Sequence, residues 1–152
     1  MRIEKFAGVY FFLSNFYPCT VTYKGITYQN SECAFQAQKV NHEDRHQFAN
    51  LSARDGKRLG RKVRIRGSWF FWTFNRERFM YEVVKAKFDQ HPDLKRKLLN
   101  TGKDKLIEGN TWGDDFWGKC WNAKQQCLVG ENKLGKILMK LRHEYSKENE
   151  NE

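Results

Sequence analysis

The stretch "RERFMYEVVKAKFDQ", residues 76–90, places Phe79, Val83, Val84 and Phe88 at helical spacing. An amphipathic helix of that length must bury its apolar stripe, which commits the chain to a packed core with a strong helical component. Asn75 is the expected N-cap. Pro92 fits the first turn of a following helix, "PDLKRKLL", that ends near "NTG". The chain has the apolar bulk to fill such a core: 152 residues carry 12 Phe, 6 Tyr and 5 Trp, which excludes a disordered chain and suits one domain without disulfide or metal staples.

Around this helix the other elements read as follows. "YPCTVTYKGITYQ", residues 17–29, alternates and breaks at Lys24-Gly25, as a β-hairpin does. Asn30 or Ser31 can cap a helix running to Val40, and "SARDGKRLG" offers Ser52 as a cap and Gly60 as a stop. "RKVRIR", residues 61–66, alternates like a strand with one positive face, and the chain is expected to stay extended through Trp69. "KLIEGN" fits a short strand. Residues 109–130 show little periodicity, so they are expected to be irregular; they carry Trp112, Trp117 and Trp121 beside Asp114 and Asp115. Loops of that length are usually functional, and the three indoles either plug the core or face a ligand. Asn132 is expected to cap a last helix with Leu134, Ile137, Leu138 and Leu141 on one face. The sum is a helix-rich α+β domain with a small antiparallel β element, residues 1–145, and a frayed polar tail, "SKENENE", at 146–152.

The formal charge of +10 favours anionic partners such as phosphorylated metabolites, nucleotides or nucleic acid. Basic residues are nowhere clustered as a nucleic-acid tail would require, so contact with nucleic acid would run through the general basic surface. Cys19, Cys33, Cys120 and Cys127 form no C-x-x-C pair, and the four histidines do not sit at zinc spacing, so free thiols and no bound metal are expected. No signal-peptide pattern and no apolar run of membrane-spanning length is present, which makes the cytoplasm the expected location, without membrane association. P-loop, nucleophile-elbow and H-E-x-x-H motifs are absent. No cofactor is implied, and the oligomeric state is not legible.

The chemically suggestive segment is "NSECAFQAQK", residues 30–39. At about 100° per residue, Gln36 lies about 40° and Lys39 about 20° from Glu32, with Phe35 about 60° to the other side. Glu32, Gln36 and Lys39 therefore form one polar stripe on a helix otherwise built of Cys33, Ala34, Phe35 and Ala37. Glu32 and Lys39 stand two turns apart, about 10 Å of rise, too far apart at the backbone for a simple surface ion pair, although their long side chains can converge on a ligand. The alternative is a solvated face.

The pieces "FLSNFYP", "SECAFQAQK", "LGRKVRIR…W", "KAKFDQHPDLKRKLLNTG", "LIEGNTWGDDFWG" and "GENKLGKILMKLR" together resemble the NADAR, or YbiA-like, N-glycosidase family, in the family's order, from Phe6 to Arg142. The resemblance implies cleavage of a ribose C1–nitrogen bond. The substrate would be a phosphorylated ribosyl small molecule, such as an early riboflavin-pathway intermediate. The alternatives are ADP-ribosylated guanine in nucleic acid, or binding of ADP-ribose without catalysis. It assigns Glu32, Lys39 and Asp114 as catalytic and places Asn15, Arg61, Trp69 and Trp112 at the pocket. Phe16 beside Asn15, Gln36 within the stripe, Phe35 flanking it, and Gly113 in the W-G-D turn complete the expected substrate-binding set. Asp114 is expected within reach of the pocket that holds Glu32. The segment 116–130 is longer than in some members, so no role passes to Asp115, Trp117 or Trp121.

These residue types suit the chemistry. Breaking an N-glycoside needs a proton for the leaving nitrogen, stabilisation of charge at C1 and a nucleophile. A carboxylate supplies the first two. A glycosylamine can also ring-open to an imine, which a lysine of lowered pKa captures as a Schiff base.

Overall fold

Three helix starts are set by capping side chains, those of Asn30, Ser52 and Ser68. The computed structural model describes Met1–Glu152, a helix-rich α+β chain whose backbone divides into two compact units: Asn15–Pro92, and Met1–Ser14 with Asp93–Glu152.

In the unit Asn15–Pro92, strands β2 (Val21–Tyr23) and β3 (Ile26–Tyr28) form the expected hairpin, in register Val21 with Tyr28 and Tyr23 with Ile26. Lys24 and Gly25 both take left-handed φ, 49° and 83°, as a two-residue turn matched to strand twist requires. Helix α1 (Ser31–Gln36) is capped by Asn30, whose side chain accepts the Cys33 N–H at 2.8 Å. It does not run as an α-helix to Val40: residues Ala37–Lys39 tighten into a 3-10 turn. Helix α2 (Ala53–Lys62), capped by Ser52, passes through Gly60 instead of stopping there. Residues 61–66 are its last turn and an irregular exit, not a strand, so the basic alternation there was a surface pattern.

The larger correction concerns Trp69. Helix α3 spans Trp69–Gln90, because Ser68 accepts the Phe71 N–H and starts it seven residues before Asn75. Asn75 sits inside the helix and donates to the Phe71 carbonyl. The cause is tertiary: an aromatic run with high strand propensity continues a helix whose core side is fixed by buried Trp72, Phe79, Met80, Val83, Val84 and Phe88. Gln90 fastens α3 to β2 by pairing its carboxamide with both the N–H and the carbonyl of Thr22, each at 2.8 Å.

In the other unit, β1 (Arg2–Ile3) pairs in parallel with β4 (Lys105–Leu106). Residues 109–130 are more regular than expected: β5 (Gly109–Asn110) pairs in parallel with β6 (Lys119–Asn122), which forms an antiparallel hairpin with β7 (Cys127–Val129). "KLIEGN" thus supplies two short strands. Helices α4 (Pro92–Asn100) and α5 (Lys133–Glu150) bury Leu94, Leu98, Leu134, Leu138, Leu141 and Tyr145. Asn132 precedes α5 in a left-handed conformation and does not cap it; its carboxamide instead bridges the Glu108 N–H and the Leu106 carbonyl. The expected frayed tail is helical through Glu150. No helix is long and apolar enough to cross a membrane, and all four cysteines are free thiols.

Candidate functional site

Every residue of α1 is buried, although it is only six residues long. An isolated helix that short is unstable in water, so α1 exists because its neighbours hold it. Asn15 braces the first turn: its backbone carbonyl accepts the Glu32 N–H at 3.2 Å, its Oδ1 accepts from Ser31 Oγ at 2.9 Å, and its Nδ2 points at Met80 Sδ at 3.2 Å. Both ends of the Asn15 carboxamide are thus engaged within the protein.

Helix α2 crosses α1 at two glycines one turn apart. A Cβ on Gly56 would overlap Cys33 Sγ, and one on Gly60 would overlap the Gln36 carboxamide. Glycine in a helix interior costs about 1 kcal/mol relative to alanine, so the pair is explained by the close approach that it permits. Burial also pushes the Cys33 thiol up to about 11, so it is an inert part of this crossing.

The stripe read from the sequence is present, and it is not solvated. Glu32 is 8% and Gln36 7% exposed. Gln36 Nε2 donates to Glu32 Oε1 at 2.9 Å. Lys39, half-buried, donates to the carbonyl of Gly60 at 3.0 Å and lies over the Trp72 ring at 5.4 Å. The 3-10 turn stretches the Glu32–Lys39 separation along the axis to about 12 Å, from about 10 Å in a pure α-helix. Burial lowers the pKa of Lys39; the charge of Glu32 opposes that shift, and Arg61 adds to it. Phe35 packs against Trp72, ring centres 5.2 Å apart and tilted by 44°, and both rings are buried.

The remaining expected residues fall elsewhere. Arg61 is exposed on the last turn of α2, where its charge reaches Lys39. Trp69 is 68% exposed at the start of α3. Phe16 is exposed beneath the Lys57 ammonium, 5.8 Å from its ring centre. Trp112, Gly113 and Asp114 belong to the other unit. There Asp114 Oδ1 accepts the N–H groups of Phe116 and Trp117 at 3.2 and 2.9 Å, while Asn110 closes the turn on the Asp114 backbone. Gly113, at φ 89°, turns the chain into it. Trp112 and Trp121 are well exposed and Trp117 is half-buried on Phe116, so the three indoles do not plug a core. No three His, Cys, Asp or Glu residues converge as a metal-ligand group.

Sequence reasoning took Gly60 for a helix stop and missed both the crossing at Gly56 and Gly60 and the role of Trp72. A G-x-x-x-G spacing inside a helical segment signals close helix approach, and it was legible at Gly56 and Gly60. Trp72 was hidden because it lies between Trp69, where the extended reading ended, and Asn75, where the helix was expected to start.

Residues 4–146, spanning both units, match the NADAR domain family. The chain is 34% identical over 137 residues to N-glycosidase YbiA of Escherichia coli (strain K12), covering 86% of this chain and 79% of that protein. It is 37% identical over 135 residues to "Riboflavin biosynthesis protein VVA0006" of Vibrio vulnificus (strain YJ016); that is 88% of this chain but only 35% of the longer protein. The NMR structure of the Escherichia coli protein YbiA superposes with a TM-score of 0.81 at 30% identity, over 100% of this chain and 88% of that one.

Proposed function

Since the chain belongs to the NADAR domain family, we propose that it is an N-glycosidase that hydrolyses a ribose C1–nitrogen bond in a phosphorylated ribosylamine. The observation that carries the reading is the buried stripe. A carboxylate and a lysine stand at its two ends, and the lysine's hydrogen bond goes to the Gly60 carbonyl rather than to the carboxylate.

In this reading Glu32 delivers a proton to the ribose ring oxygen, which opens the sugar and leaves an imine between C1 and the substrate nitrogen. The neutral amine of Lys39 adds to C1. Proton transfer to the substrate nitrogen lets it depart as an amine, leaving C1 joined to Lys39 as a Schiff base. Water then adds to C1, and the carbinolamine collapses to release the sugar aldehyde and regenerate the lysine. The burial that lowers the Lys39 pKa supports the second step, because only the free amine attacks carbon. Names borne by relatives, "N-glycosidase" and "riboflavin biosynthesis protein", support the bond type and a small-molecule substrate. The net charge of +10 suits the phosphate.

The test is a substrate panel with readout of released base and released sugar: a pyrimidine ribosylamine 5′-phosphate, ADP-ribosylated guanine in DNA, and NAD. Turnover of the first alone is expected. Turnover of the second alone would move the leaving group to a nucleic-acid base, and inertness towards all three would leave a binding module.

A further inference from the structure

Gln36 sits at the centre of the stripe, yet no step of the proposed reaction uses it. Its Nε2 donates to Glu32 Oε1 at 2.9 Å. Its Oε1 is buried and accepts no hydrogen bond. The carboxamide fills the space that a side chain on Gly60 would occupy, and the carbonyl of that same Gly60 receives the Lys39 ammonium at 3.0 Å. One glycine of α2 therefore seats Gln36 on one side and tethers Lys39 on the other.

Resting on the Glu32–Lys39 reading above, we propose that Gln36 is a positioning residue that ties the Glu32 carboxylate back along α1 and keeps it from closing onto Lys39, so that the two ends of the stripe stay apart for the substrate. A glutamate left untethered beside a half-buried lysine would move to pair with it, because the pair lowers the cost of burying the ammonium. Pairing would hold Lys39 charged and remove the nucleophile. The unsatisfied Oε1 has a use in the same scheme. Turning the carboxamide over about its last side-chain bond exchanges donor for acceptor, so Oε1 would accept the hydroxyl of a protonated Glu32. One amide thus serves both states of a carboxyl group that gives up and regains a proton. Glutamate, lysine and asparagine each lack this combination at this length.

The charged groups acting on Lys39 are Glu32 from its own segment and Arg61 from α2; α3 contributes only the uncharged Trp72 ring. The proposal is read directly at Lys39, without turnover. Trace acetic anhydride labelling of the folded full chain across pH, with mass spectrometry of the Lys39 peptide, gives the pH at which its amine becomes free. Gln36→Met, which keeps bulk and removes both polar atoms, is expected to move that midpoint upward by at least half a pH unit. The same substitution in a Glu32→Gln background is expected to move nothing, because no carboxylate remains to close. An unchanged midpoint in Gln36→Met, or an equal shift in the Glu32→Gln background, overturns the proposal. Gly60→Ala provides a second line: displacing the carboxamide should move the midpoint in the same direction. Failure of the underlying reaction reads differently, as the absence of any sugar adduct on Lys39 when borohydride is added to the turning-over wild type.

Discussion

Two lysines on the unit Asn15–Pro92 are shielded from water, Lys87 fully and Lys39 in part, and only one is built for chemistry. Lys87 on α3 is 1% exposed, flanked by the rings of Tyr17 and Phe88 at 5.6 and 5.3 Å, and burial lowers its pKa to about 8. The charge of Cys19 acts in the opposite direction. Lys39 is less buried and shifted the same way by the same cause. The difference lies in surroundings. Lys39 is partly open, held by a single backbone carbonyl, and feels a carboxylate two turns away on its own segment. Lys87 is closed off from solvent, with two aromatic rings near its ammonium. A perturbed lysine is therefore a poor marker of a site by itself; perturbation joined to access and a partner carboxylate marks one.

The largest expected effect breaks the comparison if it fails. Lys39→Arg keeps the charge but offers no nucleophile at neutral pH, so kcat/KM should fall on the order of a thousandfold or more. Borohydride added during turnover should attach the sugar fragment to Lys39 in the wild type and to no residue in the variant. Lys87→Met should keep kcat/KM within about twofold, because it removes no group that the proposed reaction uses. If Lys39→Arg is fully active, the covalent route is wrong and Lys39 only binds phosphate or sugar.

Next in size is Glu32→Gln. It keeps shape and the Gln36 contact region while removing the acid, so turnover should fall about a hundredfold, the usual range for a positioned acid–base group. Circular dichroism should show an unchanged fold. Near-normal turnover would make Glu32 no more than a buried partner of Gln36.

Lys87 has a signature of its own, in stability. Below pH 8 the folded chain carries a charge among aromatic rings. Between pH 8 and 10.5 the folded lysine is neutral while the unfolded one still binds its proton, so stability rises with pH across that window. The full gain is about 3 kcal/mol. Cys33 and Tyr28, held up to about 11 and about 12 by burial, act in the opposite sense at the alkaline end, because the unfolded chain loses those protons first. The measurement is thus the difference in urea-unfolding free energy between wild type and Lys87→Met at pH 7 and pH 9. A pH-independent difference would show that Lys87 is not buried in its charged form.

What the sequence made legible follows the same physical division. The core face of α3 at Phe79, Val83, Val84 and Phe88, the Lys24-Gly25 turn and the Asn30 cap are local patterns, and each is found as read. The Glu32–Gln36–Lys39 stripe was visible because it is periodic; the helix that closes against it was not, because α2 approaches through Gly56 and Gly60 from a distant part of the sequence. The start of α3 was misplaced because Trp69 to Phe74 have strand propensity, and Ser68 overrides it. Short pairings such as β1 with β4 span a hundred residues and leave no periodic trace.

The smallest expected effect extends the comparison from lysines to carboxylates. Glu32 gives one oxygen to a side-chain amide, whereas Asp114 Oδ1 takes two backbone N–H groups and closes the turn before β6. Like Lys87, it is held by its own surroundings. Asp114→Ala orphans both donors and should lower stability by about 1 kcal/mol, the usual effect of losing such a side-chain cap. Asp114→Asn keeps an acceptor oxygen in the same place and should restore most of that loss. The two variants also separate structure from charge in catalysis. The family resemblance assigns Asp114 a catalytic role, and on that assignment Asp114→Asn, stable but uncharged, should still turn over slowly. If Asp114→Asn is as active as wild type and only Asp114→Ala is impaired, with its activity falling in step with its melting temperature, Asp114 is a turn residue and the acid–base chemistry rests on Glu32.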